Sequence, residues 1–323
     1  MSTLTEAVYL DSFLAPLSAW LARIDITDIY INRPQEIWVE LLGGAVERHE
    51  APALTQAALL RLARQIAAHS AQGINREAPL LTASLPDGSR VQIVLPPATR
   101  GEVAIAIRRH VSAGLPLEAW RADESTIGSE SGAFSTKPRQ KSHADPIDEL
   151  RDAVRNRQNI LVSGGTSSGK TTLLNALLQE ISEHERLILI EDAPELLLNH
   201  PNAVGLIAAR GAMGEADVSA EDLLVAALRM RPDRIILGEV RGIEALTFLR
   251  AVNTGHPGSL STIHADSPER AIDQLALLVL SAGSNLSFAN AFDYISRSID
   301  FVVQLNRADG QRRIQSIQRI RAN

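Results

Sequence analysis

Residues 164 to 171 read GGTSSGKT and satisfy the pattern G-x-x-x-x-G-K-[ST]. Glycines at those places let the backbone curl until successive N–H groups point inward at phosphate oxygens. A helix starting at the lysine would add its positive N-terminus to the cradle. Lys170 would then reach the β- and γ-phosphates, and the Thr171 hydroxyl would ligate Mg2+. ATP and Mg2+ are the expected ligands. The expected nucleotide-binding residues are Gly164, Gly165, Thr166, Ser167, Ser168, Gly169, Lys170, Thr171 and Thr172.

A phosphate loop alone does not separate a kinase, a GTPase and a motor. Carboxylates at strand ends narrow the choice. The run RIILGE ends in Glu239, which could orient a water for attack on the γ-phosphate, directly or through the metal. Gly238 stands where many such sites carry an aspartate. RLILIED ends in Glu191 and Asp192. Parallel neighbours would aim these acids at one sheet edge, where open α/β sheets bind ligands. Thr171, Glu191 and Glu239 form the candidate metal set. Asp192 and Glu195 read equally well as solvated strand-end charges. Ser261, Thr262 and His264 end a further apolar run and could sense the γ-phosphate. His264 reads as either a structural or a catalytic residue, and His256 reads more readily as structural.

These residues need a scaffold, and the flanking patterns supply one. NILVSGG is a short apolar run entering glycine, and KTTLLNALLQEIS has helical periodicity after it. RLILIED, DRIILGE and SLSTIHA read as three more buried strands. PIDELRDAVRNRQ, SAEDLLVAALRM and GIEALTFLRAVNTG read as helices, with Ser219 and Asp222 spaced as a capping pair. Short apolar strands alternating with helices predict a mainly parallel sheet covered on both faces.

The N-terminal part reads differently. TDIYINR, EIWVEL, PLLTASL, RVQIVL and EVAIAIR alternate as strands, Pro86-Asp87-Gly88 predicts a hairpin, and a helix opens near Pro52. That is an α+β pattern. The stretch 121 to 145, RADESTIGSESGAFSTKPRQKSHAD, is polar, rich in Ser and Gly, and without periodicity. The expected organisation is an α+β domain over 1–120, a flexible linker over 121–145, and a phosphate-loop domain over 146–323.

Composition limits the possibilities. With 38 acidic against 32 basic residues and a formal charge of -6, the chain lacks the basic surface that broad nucleic-acid binding requires. It contains no cysteine, which excludes disulfide frameworks and cysteine zinc sites. No run approaches the ~20 apolar residues that span a bilayer. The acidic start MSTLTEAVYLDSF is unlike a secretory signal, so a cytoplasmic protein able to dock at a membrane is expected.

Four blocks occur in order: GGTSSGKTT, LILIEDAPEL, LRMRPDRIILGEVRG and TGHPGSLSTIHA. They resemble the Walker A, Asp box, Walker B and His box of the type II/type IV secretion ATPase superfamily, in which a Walker B without aspartate is normal. TDIYINRPQEIWVE and LPDGSRVQIVLPP look like the N-terminal domain of the VirB-eleven-type traffic ATPases. The resemblance implies a RecA-like C-terminal domain behind a smaller PAS-like α+β domain. It also implies a homo-hexameric ring at the cytoplasmic face of the bacterial inner membrane, working with inner-membrane components of a secretion apparatus. The cargo could be protein, DNA or pilin. Arg90 and Arg108 are then expected to reach the nucleotide phosphates, with Arg109 competing for the second role. The catalytic candidates are Lys170, Glu239, Glu191, Arg90, Arg108 and His264.

The reading is therefore a ring motor for type IV secretion, with a type IV or Tad-type pilus motor as the alternative within the superfamily. A small-molecule kinase would need a lid of several arginines, for which residues 210–214 offer only Arg210. A scaffold that binds ATP but barely turns it over is separable by the effect of Glu239→Gln.

Overall fold

The computed structural model describes residues 10–42, 44–109, 114–121, 145–208, 217–308 and 311–320. Of the expected linker only Arg121 and Asp145 fall among them, and residues 210–214 lie outside them. The chain divides into two units: Met1–Ala113 with Glu191–Glu195 and Ile207–Leu223, and Gly114–Ile190 with Leu196–Leu206 and Leu224–Asn323.

Alternation builds the first unit. Strands β1 (Ile26–Ile31), β2 (Glu36–Leu41), β3 (Val46–Glu50), β4 (Leu80–Ser84), β5 (Arg90–Val94) and β6 (Ala104–Arg108) form one sheet in the order β3-β2-β1-β6-β5-β4. Every pairing in it is antiparallel. Ile29, Ile37, Val91, Ile93, Ile105 and Ile107 turn inward and share one core with Leu59, Leu62 and Ile66 of helix α1 (Gln56–His69). α1 begins at Gln56 rather than at Pro52, because the Thr55 side chain caps it by accepting from Ala58 N–H, while Leu54 is buried in the core. β3 is not apparent in the sequence. Its residues VERHE expose their one apolar side chain and carry charges, as edge strands do to discourage pairing with other chains.

In the second unit, helix α2 (Pro146–Arg155) starts at an Asp145 cap, and β7 (Ile160–Gly164) follows. Then come α3 (Lys170–Leu178), β8 (Leu187–Glu191), β9 (Ala203–Ile207), α4 (Ala220–Ala227), β10 (Arg234–Leu237), α5 (Glu244–Asn253) and β11 (Leu260–Ile263), of which the last residue of β8, the last of β9 and the first half of α4 count with the first unit. Beyond the last expected element the chain adds α6 (Pro268–Ser281), α7 (Phe288–Ser298), β12 (Phe301–Ala308) and β13 (Gln311–Arg319). The sheet order is β13-β12-β7-β11-β10-β8-β9. The pairings β12–β7, β7–β11, β11–β10 and β10–β8 are parallel, and β13 returns antiparallel on β12. The mainly parallel α/β sheet is thus present. Ser219 and Asp222 cap α4 reciprocally, the Asp222 N–H donating to Ser219 Oγ at 3.1 Å and the Ser219 N–H to Asp222 Oδ2 at 2.9 Å. Among the described residues no helix is long and apolar enough to cross a membrane.

Two buried polar groups fasten the strand starts. Asn159 accepts from the Gly258 N–H at 2.7 Å and donates to the Ser298 carbonyl at 2.8 Å, joining the approaches to β7, β11 and β12. Arg234 is 0% exposed and forms a two-point bond with Glu185, at 2.8 and 2.7 Å, while Nη1 donates to the Val154 carbonyl at 2.7 Å. Burial alone would raise the Glu185 pKa, but the bonds and charge of Arg234 outweigh it and hold the group below the usual carboxylate range. A carboxylate depressed in the folded state stabilises above its unfolded pKa, about 4.3. That contribution disappears as pH falls through the lower, folded value. Glu185→Gln should leave a buried guanidinium unpaired and cost about 3–5 kcal/mol at pH 7. Urea unfolding would read this, and the gap to the unsubstituted chain should close in acid.

Candidate functional site

β7 is buried along its whole length and delivers Gly164 at its end, and α3 starts at Lys170. A Cβ on Gly164 would come 2.4 Å from Ser168 Oγ and 3.1 Å from the Leu305 carbonyl oxygen, so only glycine fits beside β12. Gly169 has φ +97°, and a Cβ there would come 2.7 Å from Arg312 Cδ. The loop is therefore drawn tight by its own curl and by its packing on β12, with the flexible Arg312 stem lying against Gly169. Ser168 Oγ donates to the Gly165 carbonyl at 2.8 Å. Lys170 Nζ donates to the carbonyls of Gly164 and Gly165, at 2.8 and 3.0 Å, and so folds back over the loop. Thr166 is exposed at the loop tip, Ser167 is half-buried with φ +59°, and Thr171 and Thr172 lie in the first turn of α3.

The sheet order sets where the other candidates stand. β11 lies next to β7, β10 beyond it, and β8 beyond that. At about 4.8 Å per strand, the β10 end is about 10 Å from the β7 end and the β8 end about 14 Å. Glu239 is two residues past β10 and half-buried, in an ion pair with Arg241. β11 mounts it. Ser261 Oγ donates to the Leu237 carbonyl and Thr262 Oγ1 to the Gly238 carbonyl, each at 2.8 Å, and Val240 N–H donates to the Thr262 carbonyl at 2.9 Å. The two hydroxyls expected to sense phosphate are thus engaged in holding the backbone that carries Glu239. Glu244, at the start of α5, accepts from the N–H groups of Arg241 and Gly242, each at 2.7 Å, and secures the other side of the same turn.

His264 is exposed one residue past β11. The next carbonyl, Ala265, accepts from Ser163 Oγ of β7 and Gln304 Nε2 of β12, each at 3.3 Å. His256 Nδ1 lies 3.0 Å from the Pro232 carbonyl and joins two loops at the opposite end of the strands.

Within the first unit, Glu191 is 7% exposed and its Oε2 accepts from the Glu195 N–H at 2.8 Å. The Glu195 carboxylate pairs with Arg90, Oε1 to Nη1 at 2.6 Å. Glu195 therefore stands between two of the expected catalytic residues, while Asp192 is exposed. Cross-strand register sets Arg108 opposite both Asp28 and Arg90, and Arg108 Nε donates to Asp28 Oδ1 at 3.1 Å. Arg109 points elsewhere: its Nη1 donates to the backbone carbonyls of Arg23 and, at 3.4 Å, Ile26. It is a backbone clamp for the turn before β1. Arg109→Ala should cost about 1.5–3 kcal/mol, read as a lower unfolding midpoint.

Sequence reasoning missed Arg241 and Glu244, although an arginine and a glutamate follow Glu239 within one turn of a helix start. The approach of Arg312 to Gly169 had no local signal, being made only by the fold.

Comparison with known proteins agrees with the geometry. The family model described as "Type II/IV secretion system protein" matches residues 13–319. The chain is 36% identical to the type IV secretion system protein VirB11 of Bartonella quintana, covering 98% of this chain and 94% of that one. It is 40% identical to the type IV secretion system protein PtlH of Bordetella pertussis, covering 93% and 91%. Among solved structures it resembles the VirB11 ATPase of the Brucella suis type IV secretion system, crystallised with sulphate. There the TM-score is 0.50 at 33% identity, covering 96% and 97% of the two chains. The Legionella pneumophila ATPase DotB, with a TM-score of 0.61 at 19% identity, and the pilus retraction motor PilT, 0.58 at 18%, share the fold. The DotB match covers 95% of this chain and 79% of that one, the PilT match 91% and 77%. With its phosphate loop, its strand-end glutamates and a family match over nearly its whole length, this chain belongs to the type II/IV secretion system protein family.

Proposed function

We propose that this chain is the ATP-hydrolysing subunit of a type IV secretion motor, working as a homo-hexameric ring at the cytoplasmic face of the bacterial inner membrane. The observation that carries this is the mounting of Glu239, a carboxylate fixed from both sides at the sheet edge that bears the phosphate loop. Near end-to-end relatives named as type IV secretion proteins support it over a pilus motor, for which the likeness is one of fold.

The residues divide the work as follows. The loop N–H groups and Lys170 bind the phosphates, Lys170 leaving the Gly164 and Gly165 carbonyls to do so. Glu239 orients the attacking water and takes its proton. Thr171, Glu239 and Glu191 offer the hard oxygen donors that suit Mg2+. When bound, Mg2+ neutralises charge on the β- and γ-phosphate oxygens. Arg90 and Arg108 add positive charge at the γ-phosphate and couple it to the N-terminal sheet, with His264 assisting at the same edge. Binding and release of nucleotide then drive a stroke on inner-membrane partners, which pass protein or DNA onward.

The test is ATPase rate per subunit against protein concentration, at fixed Mg-ATP with no acceptor added. A rate that rises and then saturates is expected, because ring assembly completes the active unit. A chain that turns over nothing at any concentration, or that transfers phosphate only to an added acceptor, would sink the proposal. Arg108→Ala should lower that rate by about 10-fold or more in a chain that circular dichroism shows to be folded.

A further inference from the structure

The phosphate loop has a second wall that the phosphates do not need. Arg312, on β13, lays its stem against Gly169, and its Nη1 donates to Thr172 Oγ1 at 3.2 Å. That places a planar cation over the first turn of α3, outside the curl that holds Lys170. Trp120, ending the short helical turn Leu117–Trp120, approaches the same glycine, with Cη2 3.0 Å from where its Cβ would be. Trp120 is 8% exposed, and its Nε1–H is buried with no hydrogen-bond partner among the described residues. Nε1 lies along the same edge of the indole as Cη2. An indole N–H is a donor only, and leaving one unmet in the interior carries a desolvation penalty.

Phosphate recognition does not call for this combination. Backbone N–H groups, a lysine and a helix N-terminus already serve the anion. A guanidinium plane beside an aromatic edge with an unmet donor suits a flat, nitrogen- and hydroxyl-bearing group. Bases stack on guanidinium planes and aromatic faces, and an acceptor on the sugar or base would satisfy the indole. Resting on the nucleotide reading above, we infer that Arg312 and Trp120 form the nucleoside side of the ATP site. Arg312 supplies the surface against which the base stacks, and Trp120 Nε1–H donates to the nucleoside. Gly169, whose φ of +97° already calls for glycine, is the place where the phosphate cradle and the nucleoside wall meet.

The full chain would be titrated calorimetrically with ADP and, separately, with inorganic pyrophosphate. Arg312→Ala should weaken ADP roughly 10-fold or more, and Trp120→Phe, which keeps a ring but removes the donor, about 3-fold or more. Arg312→Lys keeps a stem over Gly169 and a donor for Thr172 but loses the plane, and should weaken ADP nearly as much as alanine. Pyrophosphate affinity should stay within about 2-fold in all three, since the cradle itself is untouched. Equal loss for ADP and pyrophosphate would overturn the inference by making Arg312 a phosphate or loop-holding residue. Unchanged ADP affinity would overturn it too. An unsubstituted chain that binds neither ligand would instead remove the nucleotide reading beneath it.

Discussion

In a Lys170→Ala chain, ATP turnover should fall by at least ~10²-fold, and nucleotide binding should weaken with it. Lys170 leads the first turn of α3 and bonds to two loop carbonyls. It is thus pre-aimed at the inside of the curl, where a phosphate replaces neutral carbonyl acceptors with a full negative charge. Alanine is well tolerated at a helix start and leaves the buried residues of α3 untouched, so the fold should persist. Circular dichroism and unfolding midpoint would check this alongside the ATPase assay. A folded variant with full activity would place the phosphate site somewhere other than residues 164–172.

Glu239→Gln should separate binding from chemistry. The amide keeps the size and one acceptor of the carboxylate but cannot take a proton, so turnover should drop by about 10²–10⁴-fold while ATP affinity stays close to that of the unsubstituted chain. The backbone on either side is held by Thr262 and Glu244, so the substitution should not move the turn. Loss of the ion pair with half-exposed Arg241 should cost little stability, as partly solvated pairs do. Equal loss of affinity and turnover would mean that Glu239 holds the nucleotide, with the proton going elsewhere. Normal turnover would remove it from the chemistry.

The centre of the site was legible in the sequence because its parts are local. A loop closed by its own glycines, entered by ILVSG and left by KTTLLNALL, is written in consecutive residues. Strands buried on both faces announce themselves as apolar runs, which is why β8, β10 and β11 were expected where they occur. β12 has just such a run, FVVQL, but leads into the charged strand QRRIQSIQR, whose side chains from Arg312 to Arg319 mix exposed and half-buried positions without alternation. Its partner, not its own pattern, makes β13 a strand. For the same reason nothing in the spacing of Trp120 and Arg312 brings them to Gly169. The choice between Arg108 and Arg109 also needed coordinates. Adjacent residues on a strand face opposite ways, and a shift of one residue in the strand's end exchanges them.

The β7 strand that launches the phosphate loop finds both of its neighbours late in the chain. The bond from Asn159 to Asp300 spans 141 residues, and that from Thr172 to Arg312 spans 140. While the chain is being made, at about 5–20 residues per second, β7 must wait on the order of ten seconds for β12 to emerge. Throughout that interval an apolar strand has one or both edges open, in the condition most prone to pair with a neighbouring nascent chain. Overproduction should therefore give more soluble protein when synthesis is slow relative to folding and crowding of ribosomes is low, as in cool, weakly induced cultures.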